Sequence, residues 1–96
     1  MYAWAIYDIQ NKRSRKYIAR FCKQKGLIRV QKSVFLGNIK KRLIEELLEE
    51  VEPLLNLDQD RFYIVYMTQK DFHNMTILGQ GFDKLKASKK RRFLIL

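Results

Sequence analysis

A single cysteine, Cys22, and a single histidine, His73, are all that this 96-residue chain offers of the residue types central to soft-metal and thiol chemistry. One cysteine cannot close an intramolecular disulfide or build a Cys-rich zinc site, so stapled secreted scaffolds and zinc fingers are excluded and a reducing compartment is expected. One histidine excludes an acid/base pair of two histidines within one chain. One proline and four glycines leave little room for low complexity or disorder. No apolar run approaches the ~18 residues of a membrane span, and the opening apolar stretch meets Asp8 too early for a signal peptide, so a soluble, cytoplasmic protein is expected. The length allows one domain, residues 1–96, burying roughly 60–65% of its unfolded surface, and excludes a two-domain enzyme.

Positive charge is what the chain has in excess: 20 Lys and Arg against 10 Asp and Glu give a formal +10. Such a field favours polyanions or anionic surfaces as partners. It is also segregated. Residues 9–44 carry twelve bases and no acid, residues 45–60 seven acids and no base, and residues 61–96 eight bases and two acids. With 47% hydrophobic residues, six Phe and five Tyr, there is ample material for a core.

Residues 2–9 are aromatic and aliphatic over too short a span for a helix and read as a buried strand ending at a carboxylate. Asn11 is placed to cap a helix over residues 12–25, whose stripe of Tyr17, Ile18, Phe21 and Cys22 faces the core and which Gly26 ends. Residues 27–36 read as one strand, bent if at all, with a turn at Gly37 and Asn38. Leu43, Ile44, Leu47, Leu48, Val51 and Leu55 then recur at helical spacing up to Pro53 and Asn56, with Glu45, Glu46, Glu49, Glu50 and Glu52 outward. Residues 61–67 form a third main strand, and residues 75–79 a shorter hairpin partner. The basic run Lys89, Lys90, Arg91, Arg92 precedes Phe93, Leu94, Ile95 and Leu96, a tail strand suited to pairing with another chain. The expected fold is an α/β (α+β) sandwich, one mostly antiparallel sheet covered on one face by two helices.

Asp8 is the residue with most to say about chemistry. A carboxylate at a strand end can serve as a capping side chain, or as a ligand for Mg²⁺ or Mn²⁺, ions held by one or two carboxylates, water and phosphate oxygens. One per chain is few, and a two-fold dimer would bring two together. Lys12, Arg13, Arg15, Lys16 and Arg20 gather at the strand-to-helix corner, where guanidinium groups and helix amides meet phosphates, while Arg29, Gln31 and Ser33 share one strand face able to reach a nucleic-acid backbone. Gly79 and Gly81 lack a third glycine and a following helix, and so form a turn rather than a dinucleotide loop. Cys22 belongs to the core stripe rather than to a nucleophilic site.

Tyr7-Asp8-Ile9, the basic start Asn11-Lys12-Arg13-Ser14-Arg15-Lys16, Gly26-Leu27, and above all the run Arg29-Val30-Gln31-Lys32-Ser33-Val34-Phe35 followed by Gly37 resemble the family of CRISPR-associated protein two, the small subunit of the spacer-acquisition machinery, often described as an endoribonuclease. The resemblance spans essentially the whole chain and implies a ferredoxin-like fold, for which residues 27–36 must bend into two pieces. It implies a homodimer in which the terminal strand of Phe93, Leu94 and Ile95 crosses to the partner sheet, with Phe35 near the cleft. It further implies that Asp8 of each chain is a catalytic ligand of Mg²⁺ or Mn²⁺, that Arg13, Arg15 and Lys16 contact the nucleic-acid backbone, and that the dimer bridges the larger integrase subunit while holding duplex DNA. Leu36, where many relatives carry an acid, and the bulky Trp4 depart from the pattern. Two functions follow from the resemblance: a metal-dependent endonuclease of single-stranded RNA or double-stranded DNA, and a non-catalytic scaffold that holds DNA for its partner. A toxin-like ribonuclease of similar fold is a more distant third.

Overall fold

The computed structural model describes residues 1–82 and 87. Its elements run β1 (Tyr2–Asp8), α1 (Lys12–Gln24), β2 (Ile28–Gln31), β3 (Val34–Asn38), α2 (Lys41–Val51), a 3₁₀ turn (Glu52–Leu54), β4 (Arg61–Met67) and α3 (Gln69–His73). The sheet order is β2-β3-β1-β4 with every pairing antiparallel, the ferredoxin-like arrangement. The basic run and the tail strand expected at residues 89–96 lie outside the described residues.

Alternation along β1 sorts its side chains between two cores. Ala3, Ala5 and Tyr7 face α1 and α2 and join Ile9, Ile18, Cys22, Leu27, Phe35, Ile44, Leu47 and Val51 in the main cluster. Tyr2 and Trp4 face the other way, into a smaller cluster with Leu36 and Phe72. Full burial of a side chain such as Phe35 or Phe72 stabilises by about 1.5–3 kcal/mol, so these two rings tie the opposite faces of the sheet to their coverings.

α1 begins and ends where its sequence dictates. The Asn11 side chain accepts a hydrogen bond from the Ser14 amide at 2.9 Å, and Gly26, at φ 98°, reverses the chain in a conformation that disfavours any side chain. Its buried stripe is Ile18, Ala19 and Cys22. Tyr17, expected there, is 38% exposed, with the Arg20 guanidinium 5.5 Å over its ring. α2 packs Ile44, Leu47 and Val51 inward and continues through the Pro53 turn. Lys25 joins the two helices, 3.1 Å from Glu50 and 3.6 Å from Glu46.

Three local expectations are corrected. Residues 27–36 are not one strand: the register shifts between Arg29 and Gln31, and the chain turns at Lys32 and Ser33 so that β3 returns beside β2. Gly37 and Asn38 are therefore not the turn but part of β3, opposite Ala3 and Tyr2. Gly37 is required by close approach, because a Cβ there would lie 2.9 Å from Leu27 Cδ2 and 3.3 Å from the Gly26 carbonyl oxygen. Finally, residues 75–79 form no strand and no hairpin. Thr68 caps α3 by accepting from the Asp71 amide at 3.0 Å, and Phe72 stacks on Tyr2 with centroids 4.0 Å apart. That stack pulls the chain off the β4 edge and onto the face of the sheet, where Met75 packs against the smaller cluster.

Among the described residues no helix is long and apolar enough to cross a membrane.

Candidate nucleic-acid interface

A groove of ≈ 1140 Å³ opens between α1 and the β2–β3 turn. Its walls carry Lys12, Arg13, Arg15, Lys16, Arg20, Arg29, Gln31 and Ser33, so every residue expected from the sequence to meet a nucleic acid borders one surface. Lys23, Lys32 and Tyr7 also line it and were not anticipated. Lys23 was legible in principle: Lys12, Lys16, Arg20 and Lys23 step by four, four and three along α1, which sets them in one row. Lys32 reaches the groove only because the turn forms.

Among the described residues, none that lines this surface is acidic. The ion pairs among the described residues use Lys25 and Arg42, not the groove cations, whose charge is thus left for an external anion. Two of the groove's guanidinium groups are held in place by the protein itself. Arg29 donates from Nε and Nη2 to the Lys32 carbonyl at 3.1 and 2.7 Å and lies 5.3 Å over the Phe35 ring. Arg15 donates from Nη1 to the carbonyls of Ile9 and Gln10 at 2.9 and 3.2 Å. Arg15 thereby braces the strand-to-helix corner as well as bordering the groove.

The floor is apolar and protonated. Burial pushes the Tyr7 phenol above its ordinary value, helped by Cys22 and opposed by Arg29 and Arg15. Its hydroxyl is buried without a hydrogen-bond partner of good geometry among the described residues, although Arg29 is close enough to act on it electrostatically. Burial lifts the Cys22 thiol to about 12, which fits a core side chain and not a nucleophile. Phe35, expected at the cleft, is fully buried within the single chain between Tyr7 and Arg29, because β3 runs beneath the groove and not along an outer edge.

Asp8 stands apart. It is exposed, is absent from the groove lining, and lies opposite Arg61 on β4. By alternation its side chain shares the face of Tyr2, Trp4 and Ile6, the side of the sheet away from α1 and α2. On that face α3 covers Tyr2, whereas Ile6, its cross-strand partner Tyr63 and Val65, the partner of Trp4, are open to solvent, at 37, 56 and 47%. Sequence spacing had set Asp8 beside the basic cluster; the pleat puts the two on opposite sides of one corner. Among the described residues no three metal-ligating side chains converge. His73 is exposed on α3, its ring 5.9 Å edge-on from Phe72.

The sequence model of the family described as CRISPR associated protein Cas2 matches residues 1–75. The chain belongs to the Cas2 family. A curated Cas2 relative from Chloroflexus aurantiacus, named a CRISPR-associated endoribonuclease, is 30% identical over 83 residues, which cover 86% of this chain and 98% of the relative. A second one so named, from Pyrobaculum aerophilum, is 38% identical over 52 residues, 54% of this chain and 57% of that one. Among solved structures, a hypothetical protein from Thermus thermophilus is 33% identical with a TM-score of 0.69, covering 83% of this chain and 92% of its own. Cas2 from Streptococcus pyogenes, 18% identical, shares the fold at a TM-score of 0.71 over 82% of this chain and 100% of its own. The ferredoxin-like arrangement and the family expected from the residue motifs are thus both found.

Proposed function

We propose that this protein is a homodimeric CRISPR endonuclease that grips nucleic acid in the α1 and β2–β3 groove and cleaves it with Asp8. The observation carrying the reading is the groove itself, a cationic wall to which the described residues bring no carboxylate. Its cations stand in a row, the arrangement that phosphate contacts require and that base readout does not. The endoribonuclease names of the relatives favour RNA as substrate, and the charge admits double-stranded DNA as well.

Cleavage requires a second copy. Asp8 is exposed, and among the described residues no three metal-ligating side chains converge, so one chain does not by itself fit a divalent ion. The open apolar face of Ile6, Tyr63 and Val65 is the surface on which a second chain would seat, and its end carries Asp8. Two Asp8 carboxylates facing across such a two-fold interface would fit Mg²⁺ or Mn²⁺ together with substrate phosphate. The bound ion would activate water and neutralise charge on the phosphate. Lys12, Arg13 and Lys16 hold and orient the backbone, and Arg29, fixed by Lys32 and Phe35, presents a pre-set cation to it.

A scaffold reading has its own support, because Asp8 and the groove lie on opposite sides of the corner. In that reading the dimer holds duplex DNA for the larger CRISPR integrase subunit, and Asp8 orders the interface. Labelled single-stranded RNA and duplex DNA, with Mg²⁺ and with chelator, decide the matter for the protein and its Asp8→Ala variant. Metal-dependent cleavage lost only in the variant establishes the nuclease. Tight duplex binding with no cleavage by either protein establishes the scaffold.

A further inference from the structure

The corner between β1 and α1 is held from three directions. Arg15 Nη1 donates to the carbonyls of Ile9 and Gln10 at 2.9 and 3.2 Å. Asp60 Oδ1 accepts from the Gln10 amide at 2.9 Å, fifty residues away in the chain. The Asn11 side chain caps α1 through the Ser14 amide, and the Asn11 carbonyl accepts from the Arg15 amide at 3.0 Å. The Asp60 carboxylate is itself fixed, since Oδ2 accepts from the Asn56 amide at 2.9 Å and the Asp60 amide donates to the Asn56 carbonyl at 2.7 Å. Asn56 in turn accepts from the Asp58 amide at 3.1 Å through Oδ1. Hydrogen bonds from a backbone amide to an ionised carboxylate are stronger than neutral ones; here one, from Gln10, joins the loop before β4 to the corner after β1, and a second, from Asn56, fixes the carboxylate within that loop.

We propose that Asp60 and Arg15 are positioning residues, which lock this corner and so fix Asp8 on one face of the sheet relative to Lys12, Arg13 and Lys16 on the other. The inference rests on the nuclease reading above. Asp8 precedes the corner and faces the open side of the sheet, and the first groove cations follow it on the helix side, so three residues set the relation between the two chemistries. Asp60 immediately precedes Arg61, the cross-strand neighbour of Asp8, so its grip on Gln10 closes the same strand pair one step beyond Asp8. Catalytic geometry tolerates little error: a displacement of about 1 Å can reduce rate by about 10²-fold. Surface loops with ordinary fraying would not hold that tolerance, whereas a corner pinned at Ile9 O, Gln10 N, Gln10 O and Asn11 O does.

The test compares the full chain with Asp60→Ala, with Asp60→Asn, which keeps one carbonyl acceptor, and with Asp8→Ala. Four quantities are measured: kcat and KM for labelled single-stranded RNA, the RNA dissociation constant, thermal unfolding, and amide hydrogen exchange at Asp8 and Gln10. Asp60→Ala is expected to speed exchange at Gln10 and Asp8 about tenfold or more while α1 and α2 stay protected, and to lower kcat by about 10- to 100-fold with KM within about twofold. Asp60→Asn should recover part of both effects, and it carries the test if the alanine variant does not fold. A purely structural role would lower the unfolding temperature and leave kcat of the folded fraction intact, which overturns the proposal. Unchanged exchange at Gln10 overturns it too. Should Asp8→Ala cleave like the parent, the nuclease reading falls and the corner is judged on exchange alone. Faster exchange at both Asp8 and Gln10 in Asp60→Ala then upholds the lock, and unchanged exchange removes it.

Discussion

Arg29 closes the β2–β3 turn by donating through two nitrogens to the carbonyl of Lys32, at 3.1 and 2.7 Å, and the same guanidinium covers the Phe35 ring at 5.3 Å. One side chain thus fixes the turn that brings Lys32 to the groove and also supplies a groove cation. Lysine cannot reproduce the fork or the flat stacking contact. Arg29→Lys should therefore behave much like Arg29→Ala, each losing about 1 kcal/mol of stability in urea titration, a value kept low because the residue is solvent-exposed. RNA affinity should fall about fivefold in both, the equivalent of about 1 kcal/mol. A lysine variant indistinguishable from the parent in both assays would show that charge alone matters at this position.

Counterion release gives the groove a quantitative signature. If Lys16 neutralises a phosphate, Lys16→Ala should lower the slope of log K against log salt by about 0.9 on duplex DNA and by about 0.7 on a single strand. Arg42 lies outside the groove and is paired with Glu46 at 3.4 Å, so Arg42→Ala should leave the slope where it was. Equal changes in the two variants would mean that binding senses net charge and not this surface.

Much of this was legible because local signals and tertiary structure agreed. α1 could be read from the Asn11 cap to the Gly26 stop, β4 from its aromatic and β-branched run, and the groove residues from the clustering of cations. The failures share a physical cause, namely tertiary contacts that no local pattern carries. The Arg29 fork on Lys32 breaks an alternation that otherwise runs on toward Phe35. The Phe72–Tyr2 stack turns an apolar segment away from the sheet edge. The Asp60 grip on Gln10 joins residues fifty apart and leaves no trace in periodicity. Asp8 was correctly placed at a strand end, but its distance from the groove depends on the pleat, which spacing to the next basic residue does not reveal.

The open face of β1 and β4 makes the dimer testable without touching Asp8 or the groove. Tyr63 is 56% exposed on this face, so a charge there is tolerated by a lone chain and resisted by an apolar interface. Tyr63→Glu should sediment as a monomer, keep its unfolding cooperative, and lose cleavage while retaining groove binding per chain. A dimer that persists in Tyr63→Glu would place the interface elsewhere.

Cys22 offers a pH test of the core. The thiol titrates at about 12 in the folded chain against an ordinary value of 9.0, raised by burial against α2 and the sheet and partly offset by Arg29. The folded state therefore holds its proton more tightly than the unfolded state, and the stability linked to this group is fully present below pH 9. Between about 9 and about 12 the unfolded chain ionises first, so stability should fall as pH rises through that window. Cys22→Ala removes the ionisable group at the expense of a small cavity, and should flatten the alkaline slope while lowering stability at neutral pH by about 1 kcal/mol. Alkylation gives an independent reading: at pH 8 the native thiol should react only at the rate of unfolding, and urea should release it. Rapid modification of the folded protein at that pH would mean that Cys22 is reachable and ionised, and the packing of α1 against the sheet would need to be drawn differently.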